Sequence, residues 1–364
     1  MLKNYFIDLF NRFKQKSIIL KALIILFILL ELFICFISFY KVNYIVDTPG
    51  TLAEASNTIS IDTQNERGHI LTVSITEFTR VSLIKYWLAK SDKRMAIEEI
   101  DKDYNASDEY YYSYYAKRVS MYNALIFAYN EAKKVNNEVN IIYTYKGVLV
   151  AQVAKNARTT INADDVITEI DGKTFNNYDE FLDIYRDVVA SHSEGDTIDF
   201  KVLRVVDNVE QTLDRYAILK KNEETGNLSF GFYCFDYNVP DGENSTPKFK
   251  ISDNAYSSTG NSGGAMMALS IYNALTSDDI TGGMIVAGTG TIDIDGNVGA
   301  IGGIEQKVVR AHLSQVDVFF VDSADYDDAI NACEKFGYDS SFIVKVTKFS
   351  DIIDELNRRR GTDE

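Results

Sequence analysis

A serine and a lysine stand in surroundings that suit nucleophilic catalysis. Ser262 lies in Thr259-Gly260-Asn261-Ser262-Gly263-Gly264, and a helix-forming run from Ala265 to Leu275 begins directly after it. The pattern puts Ser262 at a helix N-terminus, where unpaired amides and the positive end of the helix dipole collect. Such a place can stabilise an oxyanion, with Asn261 and Gly263 in the loop beside it. Lys307 ends the run Gly302-Gly303-Ile304-Glu305-Gln306-Lys307, a Gly-Gly break leading into a helix. A serine hydroxyl is a weak nucleophile until a base takes its proton. Lysine can be that base only when neutral, so its pKa must fall from ~10.4 towards neutrality. Burial in an apolar site without a carboxylate partner has that effect, and Ile304, Val308 and Val309 are compatible with one. Taken singly, a serine in a glycine-rich loop is ordinarily a turn and a lysine on a helix is ordinarily solvated. Their joint occurrence carries the reading.

The elements that must position these residues are legible around them. Ala287 to Lys307 reads as two short strands joined through Asp295-Gly296, then the Gly-Gly break and the helix. Downstream come a strand at Val316–Val321, a helix at Ala324–Phe336, a strand at Phe342–Val346 and a helix at Ser350–Arg358. Upstream, His69–Thr76 is apolar and β-branched, a strand, and Lys248–Ile251 is a strand leading to the serine loop. Residues 43–65 read as irregular chain. Ser107–Lys134 reads as a helix, with Tyr115, Val119, Tyr122, Ile126 and Tyr129 recurring as one buried stripe. Tyr110, Tyr111 and Tyr112 are expected on a core or half-buried helix face rather than in a binding site.

The two glycine-rich segments together resemble the proteolytic domain of the Lon family. There a small-residue loop presents a serine, a helix follows, and a TG-containing strand, a hairpin and a GGI-x-x-K helix deliver a lysine. The resemblance implies Ser262 as nucleophile and Lys307 as base. It implies Thr289, in Gly288-Thr289-Gly290, as the threonine whose hydroxyl helps position the lysine. The departure is local: the family usually has Pro-Ser-Ala-Gly where this chain has Asn261-Ser262-Gly263-Gly264.

Between these parts, Gly147-Val148-Leu149-Val150, then Asp164 to Phe175 (DDVITEIDGKTF), a helix at Asp179–Val189 and an alternating strand at Thr197–Val205 resemble a PDZ domain of the bacterial protease-associated type. In such domains a loop binds a terminal carboxylate through backbone N–H groups while the peptide adds as a strand. The resemblance implies Tyr145, Lys146, Gly147 and Val148 as that loop; a PDZ fold serving only as a spacer or gate is the alternative. Lon-type domains begin with strands and a helix before the serine loop, so the PDZ domain is expected as an insertion. A fragment starting at about residue 207 should then fail to fold alone.

Ile18 to Tyr40 is nearly continuous apolar sequence, long enough to cross a bilayer core of ~30 Å. Basic residues precede it, which predicts a cytoplasmic N-terminus and an extracellular body. No Ala-x-Ala site follows the run, so it reads as an uncleaved anchor rather than a signal peptide. Glu31 is discordant there. The chain of 364 residues holds 37 Lys+Arg and 53 Asp+Glu. Six of the basic and two of the acidic residues fall in the first 41, leaving 31 basic and 51 acidic in the body, a net −20. Such a body repels phosphate backbones, so nucleic acid is not an expected partner.

Cys35, Cys234 and Cys333 show no zinc-ligand spacing, and no metal or cofactor is expected; a Cys234–Cys333 bridge stays open. Gly172-Lys173-Thr174 lacks the leading glycine of a phosphate loop, the position being Ile167, so no nucleotide is expected. The string around Ser262 also resembles the serine loop of HtrA-type proteases. These need an upstream histidine base, and His69, His192 and His312 have the wrong contexts; their PDZ domain also follows the protease, and a strand should follow their serine.

The expected architecture is α+β: a basic tail at 1–17, a transmembrane helix at 18–40, and an N-terminal part of a Lon-like domain at 43–140. A PDZ-like domain follows at 141–210, inserted into or preceding the catalytic part at 226–358. The expected function is a membrane-anchored, ATP-independent Ser–Lys endopeptidase acting on extracellular peptides or proteins. A non-catalytic anchored PDZ scaffold is the alternative, and homo-oligomerisation stays open.

Overall fold

A computed structural model describes residues 11–63, 68–102, 104–207, 209–222 and 225–361. The first ten residues of the expected basic tail lie outside that set. The chain divides into two compact units, residues 1–48 with 76–104, and residues 49–75 with 105–364.

The first unit holds helix α1 (Ile18–Phe39), capped by the Ser17 hydroxyl, which accepts from the Leu20 amide. It is the one described helix long and apolar enough to cross a membrane. The unit also holds the start of strand β1 (Tyr44–Glu54), the end of strand β2 (Ile70–Thr79), helix α2 (Leu83–Ser91) and strand β3 (Ala96–Glu99). β3 pairs antiparallel with Tyr44–Asp47 of β1. Val46, Val81 and Ala89 form a small buried core here.

In the second unit, a long helix α3 (Ala106–Lys133) precedes an all-antiparallel sheet. Its strands are β4 (Asn140–Val153), β5 (Val166–Ile170), β6 (Thr197–Val206), β7 (Val209–Ile218) and β8 (Phe232–Thr246), with helix α4 (Tyr178–Ser191) between β5 and β6. The sheet order is β8-β4-β5-β6-β7, closed by the two-residue strand Arg158–Thr159. The Asp-Gly turn after β5 forms as expected, with Asp171 at φ 51° and Gly172 at φ 73°. Two expectations are corrected. The sheet does not end near residue 210, because β8, from the segment assigned to the catalytic part, pairs along β4. Residues 43–65 are not irregular, because β1 runs for 11 residues and Ile59–Ile61 pairs with Phe249–Ile251.

Past residue 246 come helix α5 (Gly264–Leu275), strands β9 (Val286–Gly288), β10 (Thr291–Ile292) and β11 (Val298–Gly299), helix α6 (Ile304–Leu313), strand β12 (Val318–Asp322), helix α7 (Tyr326–Phe336), strand β13 (Ile343–Val346) and helix α8 (Phe349–Gly361). They build a second sheet in the order β13-β12-β9-β2-β1. β9 pairs in parallel with β2 (Val286 opposite Ile70) and with β12. Strands from before and after the β4–β8 sheet therefore share one sheet, and the intervening domain is inserted between them. α3 serves both parts. Leu125, Ile126 and Tyr129 join the core of α5 and α8, whereas Tyr115 and Val119 pack with Leu149, Ala151 and Val166 of the inserted sheet. The expected stripe is buried except for half-buried Tyr122. Tyr112 packs on Phe235, while Tyr110 and Tyr111 are exposed, contrary to expectation, because the first turns of α3 reach past its packing partners.

Candidate active site

The serine loop runs from the Phe249–Ile251 strand through a short 3₁₀ turn (Ala255–Ser257) to Ser262, with α5 starting two residues later. Gly263 caps α5 with no side-chain hydrogen bond. The Gly264 amide donates to the Asn261 carbonyl (3.2 Å) and the Ala265 amide to the Gly290 carbonyl (3.1 Å). The amides of Ser262 and Gly263 make no hydrogen bond among the described residues, so the loop offers two unclaimed donors beside the Ser262 side chain. The loop tolerates little bulk. A Cβ on Gly264 would sit 2.6 Å from Ser120 Oγ and 2.9 Å from the Ile292 backbone nitrogen, whereas one on Gly263 would meet the Thr72 methyl at 3.1 Å. The first position accepts only glycine; the second is nearly wide enough for alanine.

Lys307 projects from the second turn of α6, which opens on Gly303 in the left-handed region (φ 69°). A Cβ there would also lie 2.9 Å from Ile75 Cγ2, so glycine is required on both counts. Lys307 is 3% exposed and Thr289 1%. Lys307 Nζ donates to Thr289 Oγ1 (3.2 Å), and Thr289 Oγ1 donates to the Ser262 carbonyl (3.1 Å), which also accepts from the Gly290 amide (2.8 Å). The three residues expected together from sequence are thus brought together, joined through the threonine hydroxyl. Ser262 Oγ and Lys307 Nζ make no direct hydrogen bond to each other.

Burial pushes the Lys307 amine down to about 8, against the opposing pull of the Asp325 carboxylate. That carboxylate corrects the expectation of a site without one. Its charge raises the amine, yet desolvation prevails. Asp325 does not reach Lys307 as an ion pair; it accepts from the Ile301 amide (2.8 Å) and so tethers the chain entering α6.

Sequence reasoning missed the brace behind the loop. Lys117 on α3 is buried and donates to the carbonyl (2.9 Å) and the hydroxyl (2.7 Å) of Ser258. Ser120, one turn on, donates to the Asn261 carbonyl (3.0 Å), and the Gly260 amide donates to the Ser113 carbonyl (3.0 Å). The expected loop residue Asn261 therefore acts through its backbone carbonyl, held from both sides. None of the histidines approaches this arrangement: His69 pairs with Glu54, His192 bonds the Val188 carbonyl and His312 stacks on Tyr338.

Tyr145, Lys146, Gly147 and Val148 are not in an open loop. They lie inside β4, where β8 pairs along one edge (Tyr145 opposite Asn238, Gly147 opposite Tyr237, Val148 opposite Asp236) and β5 pairs along the other at Val148 and Leu149. β8 closes that side of the segment to an added strand. β8 is one edge of this sheet; at the other end Arg158–Thr159 covers β7 only at Ala217 and Ile218. Before β8 comes Leu228-Ser229-Phe230-Gly231, with Gly231 at φ 74°, and the Phe230 ring meets Tyr185 of α4 (centroids 5.6 Å apart). Cys35, Cys234 and Cys333 are unpaired. Among the described residues no group of His, Cys, Asp or Glu could hold a metal ion.

Comparison with known families matches residues 127–214 to the PDZ domain and residues 241–357 to the Lon protease (S16) C-terminal proteolytic domain. Among solved structures, the chain is similar to the PDZ domain of an SdrC-like protein from Listeria monocytogenes, with 27% identity, 25% of this chain and 90% of that one covered, and a TM-score of 0.20. It is similar also to the second domain of a Listeria protein, with 29% identity, 26% and 87% covered, and a TM-score of 0.20. No curated protein matches it.

Proposed function

We propose, from the premise that this chain joins a PDZ domain to a Lon-type proteolytic domain, that it is a membrane-anchored, ATP-independent serine endopeptidase working through a Ser262–Lys307 dyad. One observation carries the reading. Lys307 is a buried amine lowered to about 8, held by a threonine hydroxyl that is itself bonded to the nucleophile's own carbonyl. Near neutral pH a usable fraction of that amine is neutral, and its lone pair can take the Ser262 proton. The alkoxide attacks the scissile carbonyl, and the unclaimed amides of Ser262 and Gly263 receive the oxyanion. Thr289 keeps the lysine and the loop in register. The protonated lysine then returns its proton to the leaving amine, and water hydrolyses the acyl-serine. Contacts between separate residues in apo enzymes tighten when substrate arrives, so the missing Ser262–Lys307 hydrogen bond does not count against the pair.

The PDZ domain would deliver extended polypeptide by strand addition. The edge of β8, beside α4, replaces the Tyr145–Val148 segment as the receiving strand in this reading, with the Leu228–Gly231 loop at its head. α1 would hold the enzyme in the membrane, N-terminus inside and body outside, so that surface or secreted polypeptides are the substrates.

The test uses the full chain in detergent micelles, incubated without ATP with a mixture of unfolded polypeptides, and mass spectrometry of the products. Cleavage by the parent and none by Ser262→Ala or Lys307→Ala is expected. Full activity in Lys307→Ala would show that another group is the base. The absence of any cleavage across a broad peptide library would favour an inert, peptide-binding scaffold.

A further inference from the structure

The first unit presents an apolar face that its own core does not use. Helix α2 turns one side inward, where Ala89 packs with Val46 and Val81. Ile84, Trp87 and Leu88 recur at i, i+3 and i+4 on another side. Trp87 is 48% exposed and Leu88 60%, and Phe78 at the end of β2, which lies under the Lys85 ammonium, is 38% exposed. A nine-residue helix with a buried face already has its packing, yet an indole and a leucine remain exposed on its other side.

The position of this face is fixed by the membrane helix. α1 spans 22 residues, or about 33 Å at the usual helical rise, which matches a hydrocarbon core of ~30 Å. Its last residues, Phe39 and Tyr40, therefore reach the headgroup level. α2 starts at that same level, because the Leu83 amide donates to the Tyr40 carbonyl (2.9 Å), the Val42 amide donates to the Val81 carbonyl (2.9 Å), and Lys41 bridges to Ser82. The two helices pack on each other. Lys41, Lys90 and Lys93 of the same unit are exposed, and the Lys85 ammonium lies over Phe78.

We infer that α2 is an interfacial helix whose Trp87–Leu88 face, with Phe78, inserts at the headgroup–acyl boundary of the bilayer that α1 crosses. Tryptophan favours that depth, with its ring among acyl chains and its N–H in the wet layer, and the lysines reach up to the phosphates. The occupant is lipid rather than protein because the face continues directly from a membrane span. The inference rests on the reading of α1 as an anchor, and it adds that the first unit is seated on the membrane, not tethered above it.

Trp87 is the only tryptophan in the chain, so its fluorescence reports this face without labelling. The full chain is reconstituted in phosphatidylcholine–phosphatidylglycerol vesicles containing phosphatidylcholine brominated either high or deep on its acyl chain. High bromines should quench Trp87 about twofold or more, deep bromines less, and aqueous acrylamide little. Trp87→Phe/Leu29→Trp moves the probe to mid-span, where deep bromines should quench most. If the mid-span probe is quenched by lipid but Trp87 answers only to acrylamide, the interfacial helix is wrong and the anchor stands. If Trp87 is shielded from both quenchers, protein covers the face and the inference is overturned. If the mid-span probe is not quenched by lipid, the anchor fails and the inference fails with it.

Discussion

Lys117 and Lys307 are both withdrawn from water, and burial pushes both amines down to about 8. They stand on either side of the same serine loop and differ in what holds them. Lys117 gives two hydrogen bonds to one residue, the carbonyl and hydroxyl of Ser258. Both bonds go to the one residue and fix the loop. Lys307 gives a single bond to the Thr289 hydroxyl, and a neutral amine can still make that bond. Its neighbour Thr289 in turn gives its own proton to the Ser262 carbonyl. A lowered amine is therefore not a base by virtue of burial alone. Under the proposed mechanism, what qualifies Lys307 is its connection through Thr289 to the residue whose hydroxyl it would deprotonate.

The sharpest way to break this comparison is to remove each amine in turn. Lys307→Ala should lower kcat/KM by about 10³-fold or more, the scale of a lost general base, with the fold intact by circular dichroism. Equal losses from Lys117→Met and Lys307→Ala would mean that the two amines share one role.

Gly264→Ala tests the brace from the other side. The added methyl meets Ser120 Oγ, which could turn away only by leaving the Asn261 carbonyl, and the Ile292 backbone nitrogen, which cannot yield without moving β10. The helix start carrying Ser262 should shift, costing ~1–3 kcal/mol of stability and about a hundredfold in kcat/KM. Gly263→Ala, facing only a methyl at 3.1 Å, should be far milder. Thermal melts and kinetics on the pair would check the contrast, and similar damage from both would show that the loop is not held where the geometry puts it.

Lys117→Met keeps the volume and strips the two bonds to Ser258. About a tenfold loss in kcat is expected, with ~1–3 kcal/mol of destabilisation from the orphaned carbonyl and hydroxyl. Its pH–rate profile should keep the parent's shape, because a brace contributes no titration. A displaced alkaline limb would make Lys117 part of the proton path.

How much of this was readable in advance follows from the range of each interaction. The serine loop, the lysine helix and the Asp171-Gly172 turn are local patterns of glycines and helix starts, and the structure forms each within a residue or two. Lys117 was not readable, since its partner Ser258 is 141 positions away and a single lysine in an amphipathic helix carries no signal of its own. Asp325 escaped for the same reason. β1 contains Pro49 and Gly50, residues that ordinarily break strands, and was not legible as a strand. The structure explains the glycine: a Cβ there would lie 2.4 Å from the Ser74 carbonyl oxygen, so the adjoining strand comes too close for any side chain. The pairing of Tyr145–Val148 with β8 was not readable because strand order is not written in strand sequence. β8, last in the chain, lies outermost, and it covers the segment that looked free.

The finest distinction between the two lysines is the charge beside them. Lys307 has Asp325 acting on it, and the carboxylate raises the amine while desolvation lowers it further. Lys117 shows desolvation alone. Asp325→Asn removes the charge and keeps an oxygen to accept from the Ile301 amide, so the entry to α6 stays tethered. Without the carboxylate the protonated amine loses a favourable interaction, and its pKa falls below about 8. Activity requires the neutral amine, so the limb on which kcat/KM climbs with pH should move to lower pH, by up to about one unit. Below the parent limb the variant would be the faster enzyme, and above it the two should converge. Asp325→Ala removes charge and tether together, and it should lose kcat at every pH as well as shifting the limb. A profile for Asp325→Asn that overlays the parent would mean that the carboxylate acts only as a tether and that burial alone sets the lysine.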